Sequence, residues 1–196
     1  MHPLDKEALL RAHTSILDGR VITFRGCDWY MVPSTLNFTT VCLWVRISGL
    51  PFGYLDPQWA QNILSYVGFV EIVQGLPHAL PLNPKFRALI WIDSSLPLIP
   101  SCYLPLFDYR IVWVYFRYEG VFRFCKSCGK IGHATASCRT PSASAIRLIN
   151  KRINSLQQEG FQVLRGPNDL PLYTNAIRGL TYRFHNRNFP LNLLSP

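Results

Sequence analysis

The stretch "CKSCGKIGHATASC", from Cys125 to Cys138, constrains this chain more than any other part of it. Cys125, Cys128, His133 and Cys138 are separated by two, four and four residues, so all four side chains can reach one ion. Zn2+ takes four tetrahedral ligands, and thiolate sulfur and imidazole nitrogen are its usual donors. The backbone must turn sharply between ligands set so close. Gly129 follows the second cysteine and Gly132 precedes the histidine, and glycine adopts the positive φ values that such turns demand. Four protein ligands leave no position for a reactive water, so the site is expected to be structural rather than catalytic. A unit this small has almost no core, and metal affinity must supply most of its folding free energy.

The charge of the chain is as unevenly placed as its cysteines. Residues 1–120 carry nine Lys/Arg and nine Asp/Glu, and residues 121–196 carry eleven Lys/Arg against Glu159 and Asp169. The whole formal excess of +9 therefore begins at the Cys/His stretch. A one-sided positive field attracts a polyanion and gains from counterion release, although a solvated basic tail gives the same count. The other three cysteines, Cys27, Cys42 and Cys102, are scattered, and without a secretory signal they read as buried free thiols.

At 196 residues and 48% hydrophobic composition, the chain can bury one ordinary core, with room for a small appendage. Its most apolar region, 88–116, is interrupted by Asp93, Pro97, Pro100, Pro105, Asp108 and Arg110, so no run reaches the ~20 residues a bilayer needs. The opening "MHPLDKEALLRAH" lacks the apolar centre of a signal peptide. The expectation is a soluble, intracellular protein of the nucleus or cytoplasm, with no membrane partner and no small-molecule substrate.

Periodicity predicts an α+β fold. Leu4, Ala8, Leu9, Ala12, Ile16 and Leu17 recur at helical spacing and stop at Asp18-Gly19. "RVITF" and "DWYMV" read as a hairpin around Arg25-Gly26-Cys27, and "VCLWVRI" as a β-prone strand. Asp56 caps a helix with Pro57 at its first position, Trp59, Ile63 and Val67 on its apolar face and Gly68 at its close. "FVEIVQ" then completes a β–α–β unit. "FRALIWID" is a strand between two proline-rich loops, and "RIVWVYFRYE" leads straight into the motif. In that last strand Val112, Val114, Phe116 and Tyr118 alternate with Ile111, Trp113, Tyr115 and Arg117. Both sides are apolar, which favours a buried central strand over a base-stacking face. "SASAIRLINKRINSLQQEG" reads as a helix with Ile146, Ile149, Ile153 and Leu156 on one side and Arg147, Lys151 and Arg152 as a basic face.

The pattern C-x2-C-G-x-x-G-H-x4-C resembles the CCHC zinc knuckle of retroviral and retrotransposon Gag-like proteins, which bind single-stranded nucleic acid. "ILDGRVITFRG", "LWVRISGLP", "YVGFVEIV", "FRALIWID" and "VYFRYEGVFRFC" extend the resemblance over about residues 10–140. They are similar to plant proteins of LINE-type retrotransposon origin that fuse the domain of unknown function DUF4283 to such a knuckle. The resemblance implies a truncated RRM-like α+β domain over 1–118, whose opening strands are missing. A CCHC knuckle holding Zn2+ would follow at 119–140, then a basic helix and irregular tail at 141–196. It also implies a single-stranded RNA or DNA partner, met by phosphate contacts from Arg123, Lys126, Lys130 and Arg139 and an apolar cleft lined by Ile131. Gag knuckles usually carry an aromatic residue just after the first cysteine, where this chain has Lys126. A stacking platform is worth ~1–3 kcal/mol per base, so binding is expected to be weak and mainly electrostatic. The competing reading is a structural or protein-interaction module whose knuckle only staples the fold. No P-loop, Ser/His/Asp array, paired catalytic carboxylates or HExxH is present, and the chain is not expected to be an enzyme.

Overall fold

The computed structural model describes residues 3–17, 20–75, 85–121, 123–163 and 173. Within these residues the chain is mixed α+β, with two antiparallel sheets and three α-helices. The first helix, α1, runs only over Pro3–Ala12. His13 takes a positive φ of 57°, and the next residues form β1 (Thr14–Leu17), paired antiparallel with β2 (Arg20–Thr23). The helical spacing therefore overran by a turn: Thr14, Ser15 and Ile16 find ladder partners in Thr23, Ile22 and Val21, and pairing overrides a weak helical preference. The expected stop at Asp18-Gly19 lies outside the described residues. "DWYMV" is no strand. It is an exposed loop in which Trp29 keeps 96% of its surface, and Cys27 is exposed rather than buried.

The main sheet has five strands in the order β4-β5-β3-β7-β6, every neighbouring pair antiparallel. Its members are β3 (Thr40–Ser48), β4 (Phe69–Gln74), β5 (Phe86–Asp93), β6 (Ser101–Pro105) and β7 (Ile111–Tyr118). Helix α2 (Pro57–Ser65) connects β3 to β4 and starts where the sequence places it: the Gln58 N–H donates to the Asp56 carboxylate at 2.7 Å, with Pro57 at the first position. Because β5 opposes both β3 and β4, those two strands run parallel with β5 inserted between them. This is a split β–α–β unit. Where an RRM-like chain would make a second crossover through a helix, this one makes the β6–β7 hairpin. β6 itself hides within the proline-rich stretch. It is tolerated because Pro105 stands at its end, where a missing N–H costs little.

One face of the sheet is the core. Val41, Leu43, Val45 and Ile47 of β3, Phe86, Ala88, Ile90 and Ile92 of β5, and Val114, Phe116 and Tyr118 of β7 are all buried there. Ala60, Ile63 and Leu64 of α2 join the same cluster, as do Ile153 and Leu156 of α3 (Ser142–Gln158) and Phe161 beyond it. The other face is only partly covered, which corrects the expectation of a strand enclosed on both sides: Cys42, Ser48 and Ser101 are buried on it, but Ile111 is 52% exposed, and Trp113, Tyr115 and Arg117 are half-buried. The small hairpin closes one end of that face, with Arg25 stacked 4.7 Å from the centre of the Trp91 ring.

Helix α3 follows the motif and ends at Gln158, just before Gly160 takes a positive φ of 85°, but its faces differ from the sequence pattern. Ile146 is 54% exposed, and Arg152 turns inward to donate to the Tyr66 carbonyl at 3.3 Å. Only Arg147 and Lys151 remain exposed on its basic side. Of the C-terminal tail beyond Val163, only Tyr173 is described.

Candidate metal centre

The Cys/His stretch is built as a tiny antiparallel ladder closed by a tight turn. Phe124 and Ile131 face each other as an isolated bridge, and the Gly132 N–H donates to the Arg123 carbonyl at 2.8 Å. Inside that ladder the Cys125 N–H donates to the Lys130 carbonyl and the Gly129 N–H to the Cys125 carbonyl, both at 2.9 Å. The turn carries Cys125 and Cys128 to one side, and the Cys128 N–H points at the Cys125 Sγ from 3.4 Å. Gly129 and Gly132 have φ of 75° and 94°, the left-handed values the spacing demanded. A short 3-10 turn, Thr135–Ser137, then folds Cys138 back, and the Thr135 hydroxyl fastens it by accepting from the Lys126 N–H at 2.9 Å.

The four ligand atoms of Cys125, Cys128, His133 and Cys138 lie within 4.8 Å of one another, with Cys128 Sγ 3.4 Å from His133 Nε2. Tetrahedral zinc with Zn–S bonds of about 2.3 Å needs sulfurs about 3.8 Å apart and a slightly shorter S···N spacing. The donors therefore fit Zn2+ with at most about an ångström of closure. Cys125 and Cys128 are fully buried, and His133 and Cys138 are half-exposed. Without metal, burial pushes the Cys128 thiol up to about 11, whereas the hydrogen bond with His133 pulls Cys138 down to about 6. Ligation needs thiolates, so metal uptake releases protons. Four protein donors would close the coordination sphere of a bound zinc and leave no position on it for substrate.

The knuckle does not hang from the domain as a separate bead. Val121 and Phe124 keep 1% and 0% of their surface, and Ile131 keeps 8%; all three belong to the main core. The Leu98 N–H donates to the Gly129 carbonyl at 2.8 Å, and the Tyr173 hydroxyl donates to the Leu98 carbonyl at 3.1 Å. A side chain at position 129 would collide with the Tyr173 ring, so this glycine serves packing as well as turning. Ala145, in the first turn of α3, packs against Cys125 and Cys128. One hydrophobic cluster thus takes in Tyr118, Val121, Phe124, Ile131 and Ile153 together.

This docking decides where the expected nucleic-acid contacts sit. Arg123, Lys126 and Arg139 are exposed and Lys130 is half-buried, so the knuckle keeps a cationic rim. Ile131 faces the core, not solvent, because it is the bridge partner of Phe124; the expected apolar cleft has no floor there. Sequence reasoning missed the anchoring role of Phe124 and Ile131, because their burial depends on partners roughly thirty residues upstream and forty downstream.

Comparison with curated proteins and with solved structures returns no match. A family model described as a zinc knuckle, of the CCHC type, matches residues 110–140, which take in all four ligands and the strand β7 that delivers them.

Proposed function

We propose that this chain is a zinc-dependent nucleic-acid-binding protein. The knuckle's cationic rim holds the phosphates of a single strand of RNA or DNA, weakly and mainly by charge. The observation that carries this reading is the electrostatic isolation of the clamp. Between Glu119 and Glu159 the chain has no acidic residue, while Arg123, Lys126, Lys130, Arg139, Arg147 and Lys151 stand in that interval. Zinc binding removes only one unit of charge, since three thiols lose protons to a divalent ion. Neither Phe124 nor Ile131 is free to stack on a base, which fits binding with little base preference. The role is that of a binder, not an enzyme, acting in the nucleus or cytoplasm. The kinship with retrotransposon-derived plant proteins of the DUF4283 type accords with it and is proposed as the origin of the chain.

A second reading has its own support: the knuckle shares its core with the sheet domain, as a fold-stapling or protein-interaction module would. Titrating salt against binding of a single-stranded oligouridylate separates the two. With about three to five phosphates engaged, log K should fall against log salt with a slope of roughly −2 to −4. His133→Ala should abolish retention by scattering the rim. No retention of the oligonucleotide at low salt would leave only the staple.

A further inference from the structure

On the open face of the main sheet, three arginines stand in one row. Arg87 of β5 lies opposite Arg46 of β3, and Arg46 lies opposite Arg117 of β7. Like charges placed directly across strands repel and destabilise a sheet, and neighbouring strands are only about 4.8 Å apart. One carboxylate partly relieves the row. Arg46 Nε donates to Glu119 at 2.6 Å, and Arg87 Nε and Nη2 donate to it at 2.9 and 2.8 Å. Arg87 also lies 4.0 Å over the Trp44 ring. Arg117 has no such relief. Among the described residues it has no carboxylate partner, and its Nε is buried without a hydrogen bond. Arg46 still keeps 47% of its side chain in solvent.

Aromatic rings flank the row on the same face. Tyr103 and Trp113 are paired across strands with ring centres 5.1 Å apart, and Tyr115 lies 5.6 Å from Trp113. All three are half-buried. Unneutralised guanidinium groups beside a band of rings form an arrangement that a phosphodiester chain with unpaired bases satisfies: the phosphate takes the charge and the base takes the ring.

We infer that this face is a second binding site for single-stranded nucleic acid, separate from the knuckle, with a phosphate seated between Arg46 and Arg117 and a base against the Trp113–Tyr115 band. It extends the proposed function but stands on the sheet's own register and needs no metal.

The test uses the full zinc-loaded chain and a twelve-nucleotide oligouridylate, followed by fluorescence anisotropy at several salt concentrations. Arg117→Gln is expected to weaken binding roughly tenfold, the scale of one charge-assisted hydrogen bond. It should also make the salt slope shallower by about 0.7, the share of one single-strand phosphate. Arg117→Lys should keep the slope. Without oligonucleotide, Arg117→Gln should melt no lower than the parent, since the substitution relieves repulsion. Lys126→Gln with Lys130→Gln reports the knuckle separately. If that double variant loses binding and Arg117→Gln matches the parent, the sheet site is overturned and the knuckle reading stands. If only Arg117→Gln loses binding, the sheet site stands and the knuckle reading falls. A parent chain that binds nothing overturns both. Ultraviolet crosslinking of the unaltered chain guards against a variant that fails to fold: adducts are expected at Trp113 or Tyr115, and adducts confined to 123–139 would overturn the inference.

Discussion

Removing zinc should destabilise the whole sheet domain, not merely unravel fourteen residues. Ordering residues 125–138 costs about 1–2 kcal/mol each, or about 14–28 kcal/mol. Burial of Val121, Phe124 and Ile131 returns about 1.5–3 kcal/mol each. Zinc ligation contributes about 10–16 kcal/mol. Metal and anchors together, about 15–25 kcal/mol, roughly match the cost of order, and the anchors alone fall far short. The loop should therefore open without metal and pull Phe124 and Ile131 off the core. The domain then suffers what a large-to-small core substitution inflicts, about 2–5 kcal/mol. For a chain of this size that corresponds to a fall in Tm of roughly 5–15 °C. The assay is calorimetric melting of the full chain before and after chelation, with zinc restored, and of Cys128→Ser, with bound metal measured in each. One zinc per chain and a single transition that moves with the metal are expected. A main transition that stays put on chelation, with a separate small change at low temperature, would show a tethered knuckle and refute the shared core.

Acid should weaken the sheet through Glu119. Burial alone would raise its carboxyl, but the hydrogen bonds from Arg87 and Arg46 outweigh burial and hold it below the usual range. A depressed carboxylate stabilises the fold above its unfolded value and loses that contribution as pH falls through the folded one. Tm should drop more steeply between roughly pH 5 and 3 in the parent than in Glu119→Gln; parallel curves would show that the ion pairs contribute nothing. Thiol labelling reads the cysteine environments. Burial pushes Cys42 and Cys102 up to about 12, while Cys27 is exposed. Iodoacetamide at mildly alkaline pH should modify Cys27 alone in the zinc-loaded protein and reach the three knuckle thiols after chelation. Labelling of Cys42 or Cys102 at the Cys27 rate would contradict the packing described.

What the sequence determined by itself was local chemistry. Ligand spacing and the two glycines define the metal clamp because the turn between Cys125 and His133 is made by its own residues. The Asp56-Pro57 start of α2 and the strands from "FRALIWID" and "VCLWVRI" were legible for the same reason. Charge segregation, too, needs only a count. Tertiary structure alone decided which sides of those elements were used. Thr14–Leu17 left its helix because β2 offered ladder partners, and β6 formed inside a proline-rich stretch because β7 offered an edge. Ile131 became core rather than cleft because Phe124 and the domain lay beneath it. The row of Arg87, Arg46 and Arg117 joins residues far apart in the chain, and only strand register could bring like charges face to face. Spacing fixes contacts made within a turn or two; burial and cross-strand neighbours are set by partners that periodicity does not name.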